Sequence, residues 1–243
     1  METAQFIDIN TSVSGGTNNM QYLVSGTFHK ETTVFPGDFN DQKGSLHFNL
    51  NSSSSNQKLH MQLSGNYMVD NNHLLNIDLT RMAVQTEPDA PALYNADGTL
   101  NWAPNSLGNS TWTNPLAETL KNYKNKTTNL VSSFMLGYKV LPGLEMLGSI
   151  GYTSMQTNDY LTTPLTYYKP ELRSTSLRSA NYGSRALNSW IFEPQIIYKK
   201  TIGKGKFDFL LGSTIQQNNS QAGNVAGKGY NSDDVMENMS AAT

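Results

Sequence analysis

The sequence predicts an all-β fold: an antiparallel up-and-down wall of a transmembrane β-barrel, about eight strands of a larger barrel, with long extracellular loops. Two observations predict it. Eight segments alternate apolar and polar residues with period two, and the connections between them are alternately short and long. Successive side chains of a strand point to opposite faces, so each segment has an apolar face for lipid and a polar face for a wet lumen.

The predicted strands mostly reach the roughly 9–11 residues that a tilted strand needs to cross the hydrocarbon layer. In the second strand Tyr22 and Val24 oppose Gln21, and in the eighth Phe207 and Phe209 flank Asp208. Aromatic residues lie near strand ends, as in the interfacial girdles of membrane barrels. In chain order the strands are residues 6–14, 20–30, 43–50, 58–69, 128–139, 144–158, 188–199 and 206–216.

The connections orient the strands, because membrane barrels have short periplasmic turns and long outer loops. The turns predicted to face the periplasm are Gly15-Gly16 and residues 51–57, 140–143 and 200–205. The loops predicted to be extracellular are residues 31–42, 70–127 and 159–187 and the C-terminal tail. Within the longest loop, short helices are expected at 74–84 and 115–123.

The composition is polar but poor in charge, which suits lumen faces and loops. Hydrophobic residues make up 37% and charged residues 15%, with a net charge of −2 and a mean hydropathy of −0.48. A chain this weakly charged is not expected to bind nucleic acid. It has no cysteine, which excludes a disulfide scaffold or cysteine-ligated metal. No apolar run approaches the ~20 residues of a membrane helix.

No motif for catalysis or for a cofactor is present, and the chain is predicted not to be an enzyme. The four histidines are scattered without metal-ligand spacing. Gly227-Lys228-Gly229 lacks the hydroxyl residue and the context of a phosphate loop and is predicted to be a flexible loop. The acids Asp233, Asp234 and Glu237 lack calcium-loop spacing and are expected to be solvated.

The two ends predict an internal fragment of a longer protein. The N-terminus has no basic stretch followed by an apolar core, so a signal peptide is not expected. The C-terminus, Val235–Thr243, is polar and has no terminal aromatic strand.

The longest loop contains a run that resembles a known family: Pro88-Asp89-Ala90-Pro91, then Tyr94, Asp97-Gly98, Asn101-Trp102 and Asn114-Pro115-Leu116. Together with Ser14-Gly15-Gly16, residues 34–39, Leu141-Pro142-Gly143-Leu144 and residues 190–198, it is similar to the TonB-dependent SusC/RagA transporters of Bacteroidetes outer membranes. The matching pieces are collinear and cover nearly the whole chain.

The resemblance implies a component of an active importer in the cell outer membrane. Family members have an N-terminal plug domain that engages TonB and a barrel of 22 strands, and they import glycans or peptides as nutrients. Most work beneath a SusD-like surface lipoprotein that acts as a lid. This sequence matches only part of the barrel, and the plug is absent from it. A role for outer-membrane lipid follows from the barrel itself.

Candidate contacts for substrate or lid are predicted in the outer loops. They are aromatic and arginine side chains, which suit stacking on sugars and hydrogen bonding to polar polymers: Tyr94, Trp102, Trp112, Arg81, Arg173, Arg178 and Arg185. The alternative is that the aromatic residues pack inside the loop and hold its shape. Two other functions stay open: a stand-alone eight-stranded barrel, and a soluble β-rich carbohydrate-binding module with its apolar faces inside.

Overall fold

The computed structural model describes residues 3–243 as one antiparallel sheet with few helical turns. From the first strand to the eighth, each strand pairs with the next along the chain, and the ninth pairs with the seventh, which confirms the predicted all-β up-and-down fold. The strands are β1 Phe6–Gly16, β2 Met20–Thr32, β3 Asn40–Ser53, β4 Leu59–Asn72, β5 Asn122–Leu141, β6 Leu144–Thr163, β7 Ser179–Ile202, β8 Gly205–Gly212 and β9 Ile215–Lys228. The helical turns are α1 Thr80–Gln85 and short 3-10 segments at Pro115–Leu120, Leu165–Tyr167, Pro170–Leu172 and Met239–Ala241.

β8 and β9 form one strand path with a local break. Both pair with β7, and the register continues across the break, from Gln195 opposite Gly212 to Phe192 opposite Ile215. The break lies opposite Pro194, which has no N–H to donate to the ladder. The sheet therefore has eight strand paths, as the sequence predicts.

Several strands are longer than predicted at the ends that carry the long loops. β5 begins at Asn122 rather than residue 128, β6 ends at Thr163 rather than 158, and β7 begins at Ser179 rather than 188. β9 runs to Lys228, so the prediction that residues 227 and 228 belong to a flexible loop is wrong. In these extensions both faces are polar, so the period-two signal disappears although the backbone ladder continues.

All strand paths have their apolar sides on one face of the sheet. Partners in the register share a face, and the row Leu50, Leu63, Phe134, Ile150, Phe192 crosses five strands without a polar residue. We call this the apolar face, and the side of Ser133 the polar face. Large exposed residues on the apolar face include Ile9, Val13, Tyr22, Val24, Phe28, Leu46, Met61, Leu63, Tyr67, Phe134, Leu136, Tyr138, Met146, Ile150, Tyr152, Trp190, Ile196, Phe207, Phe209, Leu211 and Ile215.

The apolar residues form a band with aromatic side chains at both ends. In β7, Trp190 and Tyr198 mark the two ends, eight residues apart on the apolar face. Eight residues extend about 27 Å along a strand. At the tilt of barrel strands this gives a height of roughly 20 Å, near the apolar band of outer-membrane barrels. Monomeric soluble proteins rarely expose so large an apolar patch.

The band crosses the strands obliquely. Phe28 is the last apolar residue on this face of β2. The line of paired residues that starts at Phe28 crosses the sheet and reaches Gln221 in β9 after six pairings. The apolar band of β9, however, ends at Ile215, six residues earlier. A stagger of about one residue per strand is the shear that lets tilted strands close into a barrel.

The two rims differ as predicted. Turns at 17–19, 54–58, 142–143 and 203–204 lie at one rim, and the connections 33–39, 73–121 and 164–178 lie at the other. Among residues 3–243, no helix has the length and apolar character to cross a membrane. The expected helix at 74–84 is shorter, the six residues of α1, and residues 115–120 form a 3-10 segment.

The close contact between the turn at Pro142-Gly143 and β7 at the short-turn rim can be tested by substitution. Gly143 has φ +85°, and a Cβ there would collide with the backbone carbonyl of Lys199, whose N–H donates to the Gly143 carbonyl at 2.7 Å. Gly203 also has positive φ, +59°, but open space around it. An alanine at either position would adopt the left-handed backbone conformation, which costs about 1–2 kcal/mol. We expect Gly143→Ala to lower the free energy of unfolding in detergent more than Gly203→Ala, and equal losses would contradict the close contact between this turn and β7.

Candidate functional site

The polar face carries the hydrogen-bonding and acidic groups of the sheet. All eight acidic residues within the strands lie on it: Asp8, Glu31, Asp41, Asp70, Glu145, Asp159, Glu193 and Asp208. Between them lie mainly amide and hydroxyl side chains, with apolar exceptions such as Leu23, Val131 and Leu210. A surface of this kind can bind a polar polymer through many hydrogen bonds without a strong preference for its charge.

Two clefts indent the polar face near its two rims. At the long-loop rim, a cleft of about 420 Å³ is lined by Tyr123, Asp159, Asn181 and, from the loop, Asn76. At the short-turn rim, a cleft of about 660 Å³ is lined by a group of polar residues that includes Gln21, His47, Asn49 and Asn51. Neighbouring side chains on the face are already bonded to one another, as where Asn51 donates to Asn49 at 2.8 Å.

Some charged groups on the polar face have a close partner of opposite sign. The Lys43 ammonium lies 2.6 Å from the buried carboxylate of Asp41. His60 Nε2 lies 2.8 Å from a Glu145 carboxylate oxygen near the short-turn rim. Among residues 3–243 no three histidine or acidic side chains are grouped as a metal site. Arg185 is exposed on this face, so of the predicted arginines it is the one that lines the polar wall.

The centre of the longest loop is a tandem repeat that the sequence analysis missed. Residues 94–103 and 104–113 are two ten-residue units, and each folds as a tight hairpin closed by a β-bridge. In each, the backbone N–H of an Asn donates to a carbonyl four residues on, at 2.8 and 2.9 Å, and a Gly adopts positive φ, +82° and +80°. The residues shared by both units are Asn95 and Asn105, Gly98 and Gly108, and Trp102 and Trp112.

Asn114 fastens the repeat to the rest of the loop. Its side chain is 1% exposed, and its amide nitrogen donates to the carbonyls of Leu93 at 2.7 Å and Asn101 at 3.0 Å. Its side-chain oxygen accepts from the N–H of Leu116 at 2.9 Å and so caps the 3-10 segment Pro115–Leu120. One buried side chain therefore joins three backbone segments that would otherwise leave polar groups unpaired.

The structure separates the three aromatic candidates. Tyr94 is 45% exposed, at the start of the first hairpin. Trp102 is 6% exposed, and Leu79 and Leu116 of the same loop are also buried. Trp112 is partly buried, and its Nε1 donates to the carbonyl of Asn101 at 3.0 Å. The burial of the two tryptophans favours packing inside the loop, and contact of the three aromatic side chains with a ligand or lid stays a prediction.

The arginine candidates also lie apart. Arg81 is exposed on α1. Arg173 donates to the carbonyls of Tyr168 at 3.0 Å and Thr166 at 3.1 Å and so closes its own loop. Arg178 pairs with Asp233 at 2.6 Å. The structure does not bring these side chains into one cluster.

The loops at the long-loop rim are tied together. The carboxylate of Glu171 accepts from the N–H and the hydroxyl of Ser110, at 3.1 and 2.8 Å, which joins loop 164–178 to the repeat. Its own backbone N–H and these contacts lower the pKa of Glu171. Nearby, the Lys121 ammonium lies 2.9 Å from Glu118 and 4.1 Å above the Tyr167 ring. The rim is a preorganised platform rather than a set of separate loops.

Residues 229–243 pack against the strand extensions on the apolar-face side. Tyr230 and Met236 cover Ala180, and the hydroxyl of Tyr182 donates to the Met236 carbonyl at 2.6 Å. The carboxylate of Glu237 lies 2.9 Å from the Lys124 ammonium. Hydrogen bonds from Tyr160 and Lys124 hold its pKa below the usual range. Asp233, Asp234 and Glu237 are exposed, as expected, and Asp233 and Glu237 also form ion pairs.

The sequence matches no protein-family model and no curated protein. Solved structures, however, share its fold. The RagAB peptide importer in the closed-closed state aligns over 100% of this chain with a TM-score of 0.81 and 17% identity. The open-open state gives a TM-score of 0.81 and 16% identity over 100% of the chain, and the RagAB peptide transporter gives 0.79 and 16% over 98%.

The likeness is one of fold, and it concerns a part of the larger chains. The aligned region makes up 27% of each importer chain, so this chain spans about a quarter of their length. The fold that the motif resemblance implies, an antiparallel up-and-down barrel wall, is the fold observed.

The role of Asn114 is open to test. Asn114→Ala leaves the Leu116 N–H without its acceptor, at a cost of about 1–3 kcal/mol. It also removes one of the two donors to each of the carbonyls of Leu93 and Asn101, which keep the Asn101 N–H and Trp112 Nε1. We expect the loop to open locally and trypsin to cleave at Arg81 and Lys121 roughly tenfold faster or more. Asn109→Ala is the matched control, because the Asn109 side chain is exposed and makes no hydrogen bond among the described residues. Equal cleavage rates in the two variants would show that Asn114 does not hold the loop.

Proposed function

We propose that the chain forms part of the barrel wall of a TonB-dependent outer-membrane importer of oligomeric nutrients and that it is not an enzyme. The observation that carries the proposal is the division of the sheet into two faces. The apolar face has an exposed band with aromatic residues at both ends, and the polar face holds all eight strand acids. The first is suited to lipid and the second to a wet lumen.

Peptides are the first substrate class to test, and glycans the second. The fold is shared with chains of a peptide importer, and the amide-rich polar face suits the backbone of an extended peptide. Sugar hydroxyls would meet the same amides. Function lies in such local surfaces rather than in the fold, so both classes belong in the experiment.

A partner is proposed at the long-loop rim. The rim is a connected platform with the exposed side chains of Tyr94 and Arg81, and it is the kind of surface on which a SusD-like lipoprotein could seat as a lid. The related importer occurs in closed-closed and open-open states. Coupling to TonB would require a plug domain outside these residues.

The proposal is tested by uptake in the source bacterium. Deleting the gene should abolish uptake of fluorescent oligopeptides or of oligosaccharides, and the wild-type gene should restore it. Complementation with Ser133→Arg should also restore uptake, because residue 133 lies on the polar face. Phe134→Arg should not, since arginine facing the bilayer midplane costs about 2–4 kcal/mol.

Separate measurements distinguish the alternatives. A soluble carbohydrate-binding module would fractionate without detergent, and its deletion would leave uptake of both polymers unchanged. A small barrel without transport would reach the outer membrane, yet its deletion would leave uptake of both polymers unchanged. Either result would contradict the importer assignment.

A further inference from the structure

The charges on the sheet are sorted by face. All eight strand acids lie on the polar face, whereas the apolar face carries four lysines and no strand acid: Lys30, Lys124, Lys126 and Lys200. Basic residues are not confined in this way, because Lys43, Lys139 and Arg185 lie on the polar face. Among the strand residues this face thus has cations and no anions, although Glu237 of the C-terminal segment pairs with Lys124. Lysines without such a partner suit contact with a negatively charged group.

Three of these lysines lie just beyond the apolar band at the long-loop rim. Lys30 follows Phe28 on the apolar face of β2, and Lys126 lies beyond Leu130 on that of β5. They belong to one row of the register that is polar from β2 to β7 and that ends at Ile7 in β1 and Gly223 in β9: Lys30, Gln42, Asn71, Lys126, Asn158 and Ser184. Lys30 and Lys126 are three strand spacings apart, or about 14 Å.

A cleft occupies the middle of this row. Its volume is about 810 Å³, its wall includes Gln42, Asn71, Lys126, Asn158 and Ser184, and Met239 of the C-terminal segment borders it. Asp159 also lines the cleft, and Lys30 lies outside its wall, at the β2 end of the row. Lys124 also lines it, with its ammonium 2.9 Å from Glu237 and 5.6 Å above the Tyr160 ring. Among residues 3–243, no carboxylate lies within 4 Å of the ammonium of Lys30 or Lys126, whereas Lys43, Lys121 and Lys124 all have such a partner.

We propose that this row and its cleft bind the headgroup of a phosphorylated glycolipid in the outer leaflet. The lysines without ion pairs supply cations for phosphate, the amides and Ser184 supply hydrogen bonds for sugar hydroxyls, and the band directly below accommodates acyl chains. Free phosphate offers the same charge but uses neither the amides nor the band. The inference rests on the outer-membrane placement given under Proposed function.

The test uses the full chain purified in detergent from the bacterium that produces it. Native mass spectrometry counts the copies retained of lipid A, a diphosphorylated acylated glucosamine disaccharide, of dephosphorylated lipid A, and of inorganic phosphate. We expect wild-type protein to retain lipid A and the double variant Lys30→Gln, Lys126→Gln to retain about tenfold less. Removing the phosphates from the lipid should reduce retention by wild-type protein similarly.

Lys139→Gln is the matched control, because it removes one exposed lysine from the polar face. It should retain lipid A as wild-type protein does, and a heat-modifiable shift on gels confirms that each variant is folded. Unchanged retention in the double variant, an equal loss in Lys139→Gln, or displacement of lipid A by equimolar phosphate would each overturn the headgroup site. Absence of wild-type protein from the outer-membrane fraction would instead contradict the proposed function, so the two failures are distinguishable.

Discussion

The antiparallel register is the constraint on which the rest of the structure depends. It runs across the eight strand paths with one small irregularity between Lys139 and Leu141 and the break opposite Pro194. Because side chains alternate with period two, a slip of one residue in any pair would transfer a whole row of apolar residues to the polar face. The register therefore gives the sheet its continuous apolar band, and it also places every strand acid on the opposite face. The sorting of charge is a second consequence of the same geometry.

The register also sets where the loops meet. Alternating short and long connections bring 33–39, 73–121, 164–178 and the C-terminal segment to one rim, where they are near enough to bond to one another. Ion pairs and hydrogen bonds there join residues far apart in sequence, as between Ser110 and Glu171 and between Arg178 and Asp233. These contacts tie the connections of this rim to one another beside the polar face.

The sequence predicted the fold where one face of a strand is apolar and the other polar, because that asymmetry produces the alternation. It underestimated β5, β6 and β7, whose extensions are polar on both faces. Among the loop residues, Tyr94 and Trp102 are equivalent by residue type, and only the folding of the tandem repeat around Asn114 decides that one is exposed and the other buried. The repeat itself was visible in the spacing of Asn, Gly and Trp. The ion pair of Arg178 with Asp233 could not be predicted from the sequence, because the two residues are fifty-five positions apart and long-range ion pairs leave no periodic signal.

The most direct test of the account is to ask which face of β5 meets lipid. Because the chain has no cysteine, a nitroxide can be attached at a single introduced thiol, at Ser133→Cys or Phe134→Cys, in protein reconstituted into bilayers. The account predicts that the label at 134 collides readily with dissolved oxygen and poorly with a water-soluble nickel chelate, and that the label at 133 shows the reverse. Labels with equal access to the chelate, or with the opposite preference, would contradict the assignment of the apolar face to lipid.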